Sequence, residues 1–172
     1  MTKRPADPAN ESAPAARQVP MRDFSRSLPM SLLRAREAVM RQFRPKLREH
    51  GLTEQQWRIL RALAAIEAAE VTELARTAFL LGPSLSRILR DLEARNLIER
   101  KTAKADQRRS MVSISKEGVK LMASVAPSSE AIYAEITHRF GARKLAELQE
   151  MLGQLELCLA SADASDEITD DA

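Results

Sequence analysis

Apolar residues recur at three- and four-residue steps between Leu28 and Glu49, where Leu32, Ala35, Val39, Phe43 and Leu47 would share one face of a helix. Pro45 falls late in this run. Lacking an N–H and crowding the turn before it, it is expected to kink the helix or begin a separate short turn. Gly51 supplies a stop, since glycine accepts the left-handed backbone that closes a helix. Thr53-Glu54-Gln55-Gln56 then has the form of a capping box, in which the threonine oxygen and the glutamine side chain each satisfy an N–H left over at a helix start. A second helix follows and buries Trp57, Leu60 and Leu63. A third, from Val71 to Ala78, turns Leu74 inward. Gly82-Pro83 opens a fourth, because proline lacks only an N–H that the first helical position leaves unpaired anyway. Its apolar face is Leu85, Ile88, Leu89 and Leu92, at i, i+3, i+4 and i+7.

The period then changes. Ile98 to Thr102 and Met111 to Ser115 have strand character, with Val112 and Ile114 alternating with Ser113 and Ser115. Together they predict a hairpin around the charged loop from Ala103 to Arg109. Ser115 can cap a long helix running to Phe140, with a bend at Pro127 and a stop at Gly141. In the last helix Leu145, Leu148, Leu152, Leu155 and Leu159 form the narrow seam of a helix that packs against another helix. Three short helices and a charged hairpin predict a mainly α (α+β) chain: a winged helix-turn-helix over residues 52–115, flanked by helical layers from 25–51 and 116–160. The first twenty residues hold four of the eight prolines and little to bury, so residues 1–24 read as a disordered arm, and residues 161–172 as an acidic disordered tail.

Composition narrows the chemistry. The 172 residues are 44% apolar and 30% charged, ordinary for a chain with a packed core. No apolar run is long enough to span a membrane, and no apolar segment follows the basic N-terminal residues as a secretory signal would require, so a cytoplasmic protein with no membrane partner is expected. One cysteine, Cys158, and two histidines cannot build a four-ligand zinc site, so no metal is expected. No cofactor is expected either. There is no glycine-rich phosphate loop and no pair of carboxylates in an apolar setting, which speaks against an enzyme.

The net charge of +3 is unevenly spread. Between Arg87 and Arg109 eight basic residues stand against four acidic ones, whereas Ser161 to Ala172 holds five acidic residues and no basic one. A basic centre of this kind fits a nucleic acid. On the fourth helix Pro83, Arg87 and Arg90 lie opposite the apolar face, with Ser84 and Ser86 on the flanks. Hydroxyls and N–H groups at a helix start suit phosphate or base edges, and arginines can fork onto guanine in a major groove. The hairpin adds Lys104, Arg108 and Arg109, suited to a narrow minor groove, and Asp106, which could pin a neighbouring arginine by a charge-assisted hydrogen bond. These nine residues are the candidate DNA contacts, and double-stranded DNA the expected partner. The six aromatics are scattered, with none between Gly82 and Arg109, unlike a single-strand binder's stacking platform. A winged-helix protein–protein adaptor or an RNA-binding module stays open as the alternative.

The run LTEQQWRIL, then VTELARTAFLLGPSLSRILRDLEARNLIER, then ADQRRSMVSISKEG resembles the MarR (multiple-antibiotic-resistance-regulator) family of transcriptional regulators over roughly residues 25–160. Asp106-Gln107-Arg108 matches the family's wing signature. The segment SLPMSLLRAREAVMRQFRPKLREHGLTEQQWRILRAL is especially similar to regulators of homoprotocatechuate (hydroxyphenylacetate) degradation operons and to related regulators of nicotinate catabolism. The resemblance implies a homodimer built by the first, fifth and sixth helices. It also implies a pseudo-palindromic operator, and repression relieved by a small aromatic carboxylic acid, hydroxyphenylacetate-like or hydroxynicotinate-like. For such a ligand the expected residues are Ser31 and Arg34 of the first helix and Trp57 and Arg58 of the second, because a carboxylate needs a guanidinium fork and a ring an apolar wall. The chain departs from the family's peroxide-sensing branch, whose reactive cysteine near the first helix it lacks.

Overall fold

The computed structural model describes residues 23–103 and 106–166, with side chains outside 102–109 and 161–166. A 3-10 turn at Phe24–Arg26 leads into α1 (Leu28–Glu49), followed by α2 (Glu54–Ala64), β1 (Ala69–Glu70), α3 (Val71–Thr77) and α4 (Gly82–Ala94). The hairpin β2 (Ile98–Ala103) and β3 (Asp106–Ile114) comes next, then α5 (Lys116–Phe140) and α6 (Ala142–Asp166). Of the two outcomes expected at Pro45, a kink or a separate turn, the separate turn does not form, and α1 continues through it as one helix. Late in a helix, proline removes one hydrogen bond and leaves the remaining turn intact. α6 runs to Asp166, past residue 160 where the sequence places the acidic tail, since no glycine or proline interrupts it there. Residues 1–22 of the expected arm and 167–172 of the tail lie outside the described residues.

The chain forms two compact units that part between Val39 and Met40, inside α1. In the first, the Asp23 carboxylate accepts hydrogen bonds from the Ser25 hydroxyl and, at 2.7 Å, from its backbone N–H. These donors hold the Asp23 carboxyl below the usual carboxylate range and start the 3-10 turn. Leu28, Leu32 and Leu33 are exposed in this unit.

The second unit carries the core. Ile59, Leu60 and Leu63 of α2 meet Leu74 of α3, Leu85, Leu89 and Leu92 of α4, Val112 of β3 and Val125 of α5, all essentially inaccessible to water. Phe43 and Tyr133 add an edge-to-face contact, ring centres 5.1 Å apart, between the end of α1 and α5. The sheet is antiparallel in the order β1-β3-β2. β1 pairs Ala69 with Val112 and Glu70 with Met111, a strand too short for any alternation to announce it.

Three helices end on the same turn. The N–H of Leu52 donates to Leu47 O after α1, that of Leu80 to Ala75 O after α3, and that of Leu97 to Leu92 O after α4, each at 2.9 Å. In each case the residue before the donor is left-handed: Gly51 at φ 65°, Phe79 at 50° and Asn96 at 56°.

The start of α5 is bolted to the end of α4. The Ser115 hydroxyl donates to Asn96 O at 2.6 Å and accepts from the Gly118 N–H at 2.9 Å, while the Ser115 N–H donates to Leu97 O at 3.1 Å. Gly118 is therefore pressed against the α4–β2 turn, where an added Cβ would lie 2.2 Å from Leu97 O and 2.8 Å from Ile114 Cγ1. Leu97 O is backbone at the entry to β2 and has no rotamer by which to move aside. Gly118→Ala is expected to destabilise the fold by about 1–3 kcal/mol, as overpacking does. A urea titration should show the lowered midpoint; an unchanged midpoint would contradict this packing.

Candidate functional site

α4 presents two unlike faces. Inward, Leu85, Leu89 and Leu92 are wholly buried and Ile88 partly so. Outward, Pro83, Ser84, Ser86, Arg87 and Arg90 are all exposed. The helix starts at Leu81, which gives it no side-chain cap, and proline stands in its first turn. Unpaired N–H groups, two hydroxyls and two guanidiniums thus share one end and one side. Arg90 reaches only its own helix, Ser86 O at 3.5 Å, the outer limit of a hydrogen bond. Among the described residues nothing engages Arg87.

The other end of α4 is held by polar contacts. The Gln56 side-chain amide donates to the Asp91 carboxylate, while its carbonyl accepts from the Thr53 N–H at 2.8 Å and completes the capping box of α2. Arg95 donates to Gly51 O at 3.0 Å and lies 3.7 Å from Asp91. The C-terminal half of α4 is thereby tied to the α1–α2 turn and the N-terminal half projects.

The hairpin differs from the expected loop. Strand pairing extends to Ala103 and resumes at Asp106, and its register jumps from Thr102↔Ser110 to Ala103↔Asp106. Residues 107–109 therefore bulge from the ladder, the sort of irregularity that re-aims a strand. Asp106, Arg108 and Arg109 lie on this bulged start of β3. Their side chains, and the whole of Lys104, lie outside the described residues, as does the expected Asp106–arginine contact.

A cavity of about 500 Å³ opens between α2 and α5. Trp57, Ala64, Val119, Met122 and Ala126 make its apolar wall, and Arg61, Ser129 and Glu130 its polar groups. Ser129 is 4% exposed, and its hydroxyl has no hydrogen-bond partner among the described residues. Of the four residues expected for a ligand, the structure places only Trp57 here. Arg58 faces elsewhere, donating to Ala78 O at 2.8 Å and to Glu54 at 3.2 Å, and Glu54 also pairs with Arg44 at 3.1 Å. Ser31 and Arg34 belong to the first unit. There Ser31 donates to Ser27 O at 3.1 Å, and Arg34 donates to Ser25 O and lies 3.4 Å from the Ser31 hydroxyl. The arginine that does line the cavity, and that the sequence reading did not name, is Arg61. Its signal was available: a residue four after Trp57 shares its helix face, whereas the next residue does not.

The model for the MarR family matches residues 50–109, from just after α1 into the start of β3. Against the homoprotocatechuate degradative operon repressor of Escherichia coli the chain is 41% identical over 126 residues, 73% of this chain and 85% of that one. The crystal structure of NadR in complex with 4-hydroxyphenylacetate is similar at a TM-score of 0.69 and 36% identity, over 80% of this chain and 97% of that one. The transcriptional repressor CouR, bound to a 23-mer DNA duplex, is similar at a TM-score of 0.71 and 26% identity, over 77% and 94%. The two-faced α4, the bulged hairpin behind it and these likenesses converge on one assignment: the chain belongs to the MarR family of transcriptional regulators.

Proposed function

We propose that this regulator is a homodimeric, cytoplasmic repressor of an operon for the breakdown of an aromatic compound, held on a pseudo-palindromic duplex and released by a small aromatic acid. The observation that carries the reading is the division of α4, with three leucines out of water on one side and exposed hydroxyls and arginines on the other. Such a helix can enter a major groove with its first turn forward. Pro83, Ser84, Ser86, Arg87 and Arg90 are its proposed contacts. Lys104, Asp106, Arg108 and Arg109 are those of the hairpin. One relative named above is an operon repressor and CouR is a transcriptional repressor solved on a DNA duplex, which leaves the adaptor and RNA-binding alternatives without support.

Dimerisation is supported by what one chain leaves uncovered. Leu148, Leu152 and Leu159 of the α6 seam are exposed, as are Tyr133 and Phe140 on α5. A leucine seam on a 3–4 spacing that stays exposed is apolar area that association would remove from water.

The effector reading moves with the geometry from Arg58 to Arg61. A monocyclic acid fits a cavity with an indole wall, a guanidinium for the carboxylate, and a carboxylate and an orphan serine hydroxyl for a ring hydroxyl. NadR was solved with such a molecule, 4-hydroxyphenylacetate. Each tenfold loss of DNA affinity on binding requires about 1.4 kcal/mol of preference for the conformation that does not fit the operator.

Two measurements test these proposals. In an anisotropy titration at fixed salt, Arg87→Ala should weaken duplex binding by about 1–3 kcal/mol and relax the choice at one base pair per half-site; wild-type affinity and preference would sink the α4 reading. In calorimetry with 4-hydroxyphenylacetate and related acids, Arg61→Ala should bind at least about tenfold more weakly, the loss expected for a charge-assisted pair. Arg58→Ala should bind as wild type. Ser31→Ala and Arg34→Ala are measured alongside as the first helix's candidates. Unimpaired binding by Arg61→Ala would remove the ligand from this cavity.

A further inference from the structure

Of the three helices that end on the turn closed by Leu52, Leu80 and Leu97, two place there the types that adopt the left-handed conformation at least cost, Gly51 after α1 and Asn96 after α4. The third, α3, uses Phe79, whose Cβ is crowded at φ 50°. Core packing gives no reason for it, because the Phe79 side chain is 80% exposed. Leu80, one residue on, fills the turn's apolar position and packs against the core, and Leu81 then turns outward again at 79% exposure. The α3–α4 turn thus holds two large apolar side chains in water, one of them on a backbone better suited to glycine. An outlier of this kind points to function when it sits beside a functional surface.

It does so here. Leu81 is the cap residue of α4, immediately ahead of Gly82, Pro83 and Ser84. From Arg76 to Arg90 the chain has three arginines and no acidic residue, so the surroundings favour a polyanion. Two side chains fall far short of the roughly 800 Å² per partner that a stable protein interface buries, but they suffice as an extension of a DNA-reading face.

We propose that Phe79 and Leu81 form an apolar reading element for thymine, contacting C5-methyl groups in the major groove as α4 enters it. The methyl is the one apolar feature on the major-groove edge of a base pair, and it marks thymine alone. The inference rests on α4 being the DNA-reading helix and adds a specificity that its serines and arginines do not supply.

The test uses the full chain and a duplex it selects from a random pool, remade with each thymine replaced in turn by deoxyuridine, which removes only the methyl. At one or two positions per half-site, wild type should lose about fourfold in affinity per methyl. Phe79→Gly and Leu81→Ser should bind the thymine duplex correspondingly more weakly and, between them, be indifferent to those replacements. Phe79→Gly should also melt at a higher temperature than wild type, which separates its weaker binding from misfolding. Arg87→Ala should bind more weakly yet keep the sensitivity to deoxyuridine. If wild type ignores every replacement, or Phe79→Gly binds DNA as wild type does, the inference is overturned, the latter in favour of a protein partner at this turn. If Arg87→Ala is also unaffected, the α4 reading fails and takes this inference with it.

Discussion

Everything this chain presents to DNA depends on three leucines that it hides. Leu85, Leu89 and Leu92 press one stripe of α4 onto α2 and its neighbours, and each is fully out of water. Truncating a buried leucine of this kind costs about 2–5 kcal/mol, a large share of a small domain's stability. That energy fixes the rotation of α4 about its own axis. A helix rolled by one residue, 100°, would bury serine or arginine and expose leucine, so the outward set Ser84, Ser86, Arg87 and Arg90 follows from the inward set.

Rotation alone does not fix the helix along its length. The polar ties at its far end do that, through Gln56 to Asp91 and Arg95 to Gly51. Gln56 is also the capping residue of α2 and the immediate neighbour of Trp57, which lines the cavity. One side chain therefore touches both the helix offered to DNA and the helix that walls the cavity. A ligand that shifts α2 would meet α4 through this contact, a short physical link between the two proposed sites.

The sequence shows the helices because their stripes are long and their ends chemically marked. The bounds of α1, the capping box at Thr53, the proline start of α4 and the Ser115 cap of α5 all carry signals local to a few residues. What it conceals is set by contacts between distant segments. β1 exists only because Ala69 and Glu70 lie along β3, and two residues have no period. The hairpin's charged run reads as loop, yet pairing with β2 draws Asp106 into a strand and leaves 107–109 as a bulge. Of the two arginines near Trp57, the one on its helix face and lining the cavity is Arg61, four residues on. Arg58, next to Trp57 in sequence, is already engaged by Glu54 and by Ala78 O, and the second of these partners lies twenty residues away in the chain. The exposed Phe79 is invisible in a different way, since a phenylalanine between two apolar residues reads as core until the turn that holds it is seen.

The central claim is that α4 reads a duplex through its major groove, once in each half of a two-fold complex. Methylation of guanine N7 lies on that groove's edge and blocks an arginine fork there while leaving the minor groove and the phosphates untouched. Interference footprinting with dimethyl sulfate on a selected duplex measures it directly. Two clusters of interfering guanines with centres about 10 bp, one helical turn, or a whole number of turns apart are the predicted result. Tight binding with no interfering guanine on a duplex that contains them in both half-sites, or a single unpaired cluster, would contradict it.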